Sequence, residues 1–173
     1  MRAASSALIS IAALLSIHAA PASSICPAGR LFFPAVTRAG AETGAVALTF
    51  DDGPDIGLDC FLDVLEAAER SVRLFRPPYG IFNTASWLEA SRQRWEQVLW
   101  SRWGRDWTAE ATSRSVVEEI GLPQAGDVLL LHDSDRYAAP GSWRATRDAL
   151  PIIMERIFDL GLQACSVGEL LSV

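Results

Sequence analysis

The chain has 173 residues, half of them hydrophobic, and a formal net charge of −6. That is enough for one domain with a real core and too little for two. The acidic balance argues against a nucleic-acid partner, which selects a basic face, and no internal stretch is long and apolar enough for a transmembrane helix.

In chain order, the N-terminus reads first as a leader. Arg2 precedes an apolar segment, Ala7 to Ile17, and Ala20-Pro21-Ala22 offers a small-residue cleavage pattern before Ser23. Residues 1–22 are therefore expected to be a secretory signal peptide. The product is then periplasmic or secreted; without cleavage and export it is cytoplasmic. Residues 23–44 carry Pro27, Gly29, Pro34, Gly40 and Gly44 and form an irregular lead-in. Ala45–Phe50 reads as a buried strand that ends in two adjacent carboxylates, Asp51 and Asp52, and a Gly-Pro turn. Leu58, Phe61, Leu62, Leu65 and Ala68 recur at helical spacing and predict an amphipathic helix, Leu58–Arg70.

Val72–Phe75 is a short strand stopped by Arg76-Pro77-Pro78-Tyr79-Gly80. Asn83 or Thr84 caps a helix through about Arg94. Gln97–Ser101 reads as a strand, with Trp103–Trp107 after it. Thr112 or Ser113 caps a helix carrying Val116, Val117 and Ile120, closed by Gly121 and Pro123. Asp127–His132 is the clearest buried strand. A final long helix, roughly Ala145–Leu160, is expected to bury Leu150, Ile153, Met154, Ile157 and Leu160 and to hold Pro151 near its first turns. A strand, Gln163–Val167, and a short helix complete the chain. Strands alternating with helices predict an α/β fold with a mostly parallel sheet.

Strand ends carry the chemistry. In a parallel sheet they share one side. The paired acids Asp51 and Asp52, then Arg76, then Asp106-Trp107, then His132 are thereby placed on one face. Acid, arginine and histidine on successive strand ends point to an active site. A magnesium-dependent phosphotransfer site is disfavoured, because the chain has 15 basic residues and none is a lysine.

Four segments in order resemble motifs of the polysaccharide deacetylases: Thr49-Phe50-Asp51-Asp52-Gly53-Pro54, Arg76-Pro77-Pro78-Tyr79-Gly80, Asp106-Trp107 and Leu130-Leu131-His132-Asp133. The resemblance runs from about Val46 to Leu171 and implies a deacetylase-like domain over residues 45–173. It implies an incomplete or distorted (β/α) barrel and hydrolytic removal of acetyl groups from N-acetylglucosamine-containing oligo- or polysaccharides with the help of a divalent metal, zinc in most of the family. It makes Asp51 the general base, Asp52 a metal ligand, Arg76 the partner of Asp51, and the Tyr79 backbone N–H an oxyanion donor. Asp106 then tunes His132, the general acid, while Trp107 and Leu130 wall the acetyl pocket.

The family's His-x-x-x-His motif is missing. Only two histidines occur, and His18 lies in the leader. The segment between residues 55 and 75 is too short for the βα units, each about 30 residues long, that would carry it. The metal ligand set is therefore incomplete. The expected protein is a monomer whose shortened barrel leaves an apolar edge exposed. An inactive carbohydrate-binding remnant, with sugar stacked on Trp103, Trp107 and Tyr79, is the alternative function. Cys26, Cys60 and Cys165 are too few and too scattered for a structural zinc site.

Overall fold

The computed structural model describes residues 12–51 and 73–171. The expected helix Leu58–Arg70, together with Asp52 and Cys60, lies outside the described residues. Those described form two compact units: residues 12–36 with 73–99, and residues 37–51 with 100–171.

The larger unit is built on a four-stranded parallel sheet in the order β4-β5-β1-β6. Its strands are β1 (Ala45–Asp51), β4 (Arg102–Trp103), β5 (Val128–His132) and β6 (Gln163–Cys165). The two middle strands read as apolar runs because each has a strand on either side. In β5, Val128, Leu129, Leu130 and Leu131 are all buried. β1 pairs with β5 from Ala47↔Val128 to Asp51↔His132, and β6 pairs with β1 from Ala45↔Gln163 to Ala47↔Cys165. β4 pairs with β5 through Arg102↔Leu129 and Trp103↔Leu130. The described strands form an open sheet and do not close into a barrel.

With the helices numbered after residues 12–19, which are also helical, α1 is Thr84–Arg92, α2 is Ser113–Ile120, α3 is Trp143–Asp159 and α4 is Val167–Leu171. Val116, Val117 and Ile120 of α2 and Ala145, Ala149, Ile153 and Ile157 of α3 pack with Val46, Leu129 and Leu131 of the sheet into one core. Each large aliphatic buried there contributes about 1.5–3 kcal/mol. Gly104 leaves room for this packing. A Cβ there would lie 2.8 Å from Leu131 Cδ2 and 2.9 Å from Val116 Cγ1. Of the two expected caps, Thr112 and Ser113, it is Thr112 that caps α2: Ser115 N–H donates to Thr112 Oγ1 (3.1 Å) and Thr112 N–H to Ser115 Oγ (2.9 Å). At the other end, Arg102 donates to Ile120 O and Arg156 to Gly121 O, carbonyls at the helix end that lack a helical partner, and Arg156 also reaches Val117 O, which accepts the Gly121 N–H as well.

Three expectations fail. In α3 the buried stripe runs through Ala145, Thr146, Ala149, Ile153 and Ile157, whereas Met154 and Leu160 are exposed. Small residues let the helix approach the sheet closely, so they take the inner face. Pro151 lies in the helix interior and on its exposed side, not near the first turns. The strand expected at Gln97–Ser101 is also displaced: strand forms at β3 (Glu96–Gln97) and again at β4, so only Gln97 of that range lies in one of these strands, and Trp103, expected after the strand, lies in one.

The smaller unit holds a second sheet, β2 (Leu74–Phe75) parallel to β3, to which Val36 bridges at Val98. Asn83 caps α1 through a reciprocal pair with Ser86. Phe82 is fully buried and packs edge-on against Phe75 and Trp87. No helix among the described residues is long and apolar enough to cross a membrane.

Candidate active site

His132 closes β5, and its Cα is in register with that of Asp51 on β1. Adjacent strands lie about 4.8 Å apart, so the sheet itself brings these two strand ends together. The side chain of His132 keeps 13% of its surface exposed, whereas that of Asp106 has none. Asp106 follows β4 through Gly104 and through Arg105, whose φ of 49° turns the chain.

The Asp106 carboxylate is held at both oxygens. Oδ1 lies 2.8 Å from His132 Nδ1. Oδ2 accepts from the His132 backbone N–H at 2.7 Å and from the Thr146 hydroxyl at 2.5 Å. Burial by itself drives this carboxyl upward. The bonds from the His132 ring, the Thr146 hydroxyl and the His132 backbone N–H, with the charge of His132, outweigh it, so the group sits below the ordinary carboxylate value. Asp106 is therefore ionised at neutral pH. An ionised carboxylate has no proton to give, so His132 Nδ1 carries the hydrogen and donates it. Proton exchange then falls to Nε2. The arrangement can deliver a proton to a leaving group, or remove one, at a fixed point.

A row of aromatic rings runs from the His132 ring back along β4. Trp107 meets the His132 ring edge-on at 5.5 Å between centroids. Trp103 follows at 5.1 Å from Trp107, and Trp100 stacks on Trp103 at 5.9 Å. Trp103 remains 39% exposed. Leu130, expected in a pocket wall, is 3% exposed and lies opposite Trp103 in the sheet.

Arg76 and Tyr79 belong to the smaller unit. Arg76 follows β2 and donates from Nη2 to Leu99 O at 3.2 Å. Tyr79 has a left-handed φ of 57° and a side chain 74% exposed. At Asp51 the structure describes the backbone, and Asp52 lies beyond the described residues. Among the described residues, no three histidine, cysteine, aspartate or glutamate side chains gather closely enough to hold a metal ion. A catalytic zinc takes three protein ligands, so the described side chains do not fit one.

Two groups escaped the sequence reading. Thr146 is 3% exposed on an apolar helix face, and a buried hydroxyl in such a stripe must find a partner. That was the available signal. Asp127, fully buried at the opposite end of β5 from His132, binds Arg38, Arg102 Nε (2.6 Å), Ser101 Oγ (2.7 Å) and the Gln124 N–H (2.8 Å). It ties the start of β5 to β4 and is a structural charge.

No protein-family profile matches the chain, and no curated protein matches it in sequence. Its structure is similar to that of the Bc1960 peptidoglycan N-acetylglucosamine deacetylase, with a TM-score of 0.60 and 18% identity over 78% of this chain and 91% of that one. It is similar to PdaA of Bacillus subtilis, a family 4 carbohydrate esterase, with a TM-score of 0.55 and 15% identity over 83% and 87% of the two chains. It is also similar to the Xyl-CE4 domain of a multidomain xylanase from the hindgut metagenome of Trinervitermes trinervoides, with a TM-score of 0.52 and 19% identity over 74% and 89%. The chain shares the fold of the family 4 carbohydrate esterases, the polysaccharide deacetylases that its four motifs resemble.

Proposed function

We propose that this protein is a hydrolase of the polysaccharide deacetylase type that removes acetyl groups from N-acetylglucosamine-containing glycans. The observation that carries the reading is the buried, ionised Asp106 holding His132 Nδ1, beside the strand end that bears Asp51. An amine leaves poorly unless it is protonated, and a histidine of fixed tautomer meets that need at Nε2. In this reading His132 is the general acid, Asp106 sets its tautomer, and Asp51 takes the proton of the attacking water. Trp107, against the His132 ring, walls the acetyl group together with Leu130. The roles of Arg76 as partner of Asp51, of the Tyr79 N–H as oxyanion donor and of Asp52 as metal ligand rest on the motif resemblance alone. Residues 1–22 are the export signal and residues 45–173 the deacetylase-like domain, which places the reaction outside the cytoplasm.

The test is acetate release from N-acetylglucosamine oligomers by the purified mature chain, with and without added zinc or cobalt. The reading predicts release that rises with the added cation. Absence of release from these oligomers under both conditions refutes it.

A second reading has its own support. Trp100, Trp103 and Trp107 form a row with an exposed member, and aromatic faces stack on sugar rings. A glycan-binding remnant without turnover predicts saturable calorimetric binding of the same oligomers with no acetate formed. A flat titration refutes it.

A further inference from the structure

The Asp106–His132 pair has a third member. We infer that Thr146 is a positioning residue: its hydroxyl holds Asp106 Oδ2 so that Oδ1 stays aimed at the His132 ring.

Three observations carry this. The hydroxyl lies 2.5 Å from Asp106 Oδ2, on the carboxylate oxygen that the ring does not use. Thr146 is 3% exposed, in a helix stripe that is otherwise Ala145, Ala149, Ile153 and Ile157. An apolar residue would pack equally well there, and a buried hydroxyl is costly unless bonded. The third is where the donors come from. Oδ2 also accepts the His132 backbone N–H, but that donor belongs to the residue being oriented. Thr146 is the donor supplied by another element. Its χ1 is restricted by β-branching within a helix, and α3 is anchored by Ile153 and Ile157 in the core. Helical threonines commonly bond back to a carbonyl in their own preceding turn. This one reaches across to the carboxylate. The carboxylate is thereby fixed against rotation about Cβ–Cγ, and the sheet end bearing His132 is tied to α3.

The positioning stands without the deacetylase reading; its effect on turnover rests on that reading. The experiment uses the full chain labelled with 15N-histidine. Its two histidines are assigned with a His18→Gln variant. At neutral pH the wild-type His132 ring is expected in the Nδ1–H form, with a slowly exchanging Nδ1–H signal. In Thr146→Val, and in the smaller Thr146→Ala should the valine variant not fold, the ring becomes a mixture of tautomers and the Nδ1–H exchanges at least about tenfold faster. Thr146→Ser restores both. If the chain releases acetate, Thr146→Val lowers kcat about tenfold, the scale on which outer-shell partners act, and leaves KM unchanged. A folded Thr146→Val or Thr146→Ala with wild-type tautomer and exchange overturns the inference, whatever the activity. A changed tautomer in a chain that releases no acetate upholds the inference and removes the deacetylase reading.

Discussion

Asp106→Asn isolates the charge of the Asp106–His132 pair without opening a cavity, because the amide has almost the shape of the carboxylate. The side chain is fully buried and has three donors: the His132 ring N–H, the His132 backbone N–H and the Thr146 hydroxyl. A hydrogen bond to a charged group contributes about 1.5–3 kcal/mol, and a neutral one about 1 kcal/mol. The amide oxygen keeps the two Oδ2 donors at neutral strength, which costs about 1 kcal/mol for each. The amide nitrogen then faces His132 Nδ1, donor to donor, unless the ring changes tautomer. Against these losses stands the relief of a desolvated charge, so the net expected destabilisation is about 2–4 kcal/mol. With an m value of about 1–3 kcal/mol/M, the urea midpoint falls by about 1–2 M at neutral pH. Tryptophan fluorescence follows the unfolding, since Trp107 packs on His132. A midpoint within measurement error of wild type refutes the claim that a charge-assisted network fixes this end of the sheet.

Acid should weaken the same network. The folded Asp106 carboxyl lies below its ordinary value, so the unfolded chain binds the proton first as pH falls. The contribution is complete above the unfolded value of about 3.9 and disappears as pH drops through the lower folded value; the stability gap between wild type and Asp106→Asn, measured by urea unfolding, should close over that window. Asp127→Asn should cost about 2–4 kcal/mol in the same assay, because it leaves Arg102 and Arg38 facing a neutral, fully buried group. Gly104→Ala should cost about 1–3 kcal/mol by overpacking against Leu131 and Val116, read as a lowered melting temperature.

Local rules carried much of the fold. The run Val128–Leu131 read as a buried strand and is one, and of the two candidate caps at each helix start, Thr112 or Ser113 and Asn83 or Thr84, Thr112 and Asn83 are the caps. Where several residues compete for one face, local rules ran out. In α3 the long apolar residues Met154 and Leu160 looked like core, yet Ala145, Thr146 and Ala149 lie inside, because close approach to the sheet rewards small side chains. Pro151 is tolerated in the helix interior since its ring sits on the exposed side. Trp103 was placed after a strand and not in one because β4 is only two residues long and shows no periodicity.

The site divides in the same way. Asp106 and His132 were legible as neighbours because one comes shortly after β4 and the other ends β5, adjacent strands of one sheet, and strand neighbours fix position to within a few ångströms. Trp107 was legible for the same reason. Thr146 was not, because its place opposite Asp106 depends on how α3 lies across the sheet. Trp100 was missed as part of the tryptophan row, since the row exists only once β4 pairs with β5.

The most direct test of the account compares acetate release from N-acetylglucosamine oligomers by the wild-type chain and by His132→Ala, each supplied with a divalent cation. Loss of a general acid lowers turnover by about 10²–10⁴-fold. The account predicts measurable release by the wild type and a fall of at least about 100-fold in the variant. Release that His132→Ala leaves unchanged, or no release by the wild type, contradicts it.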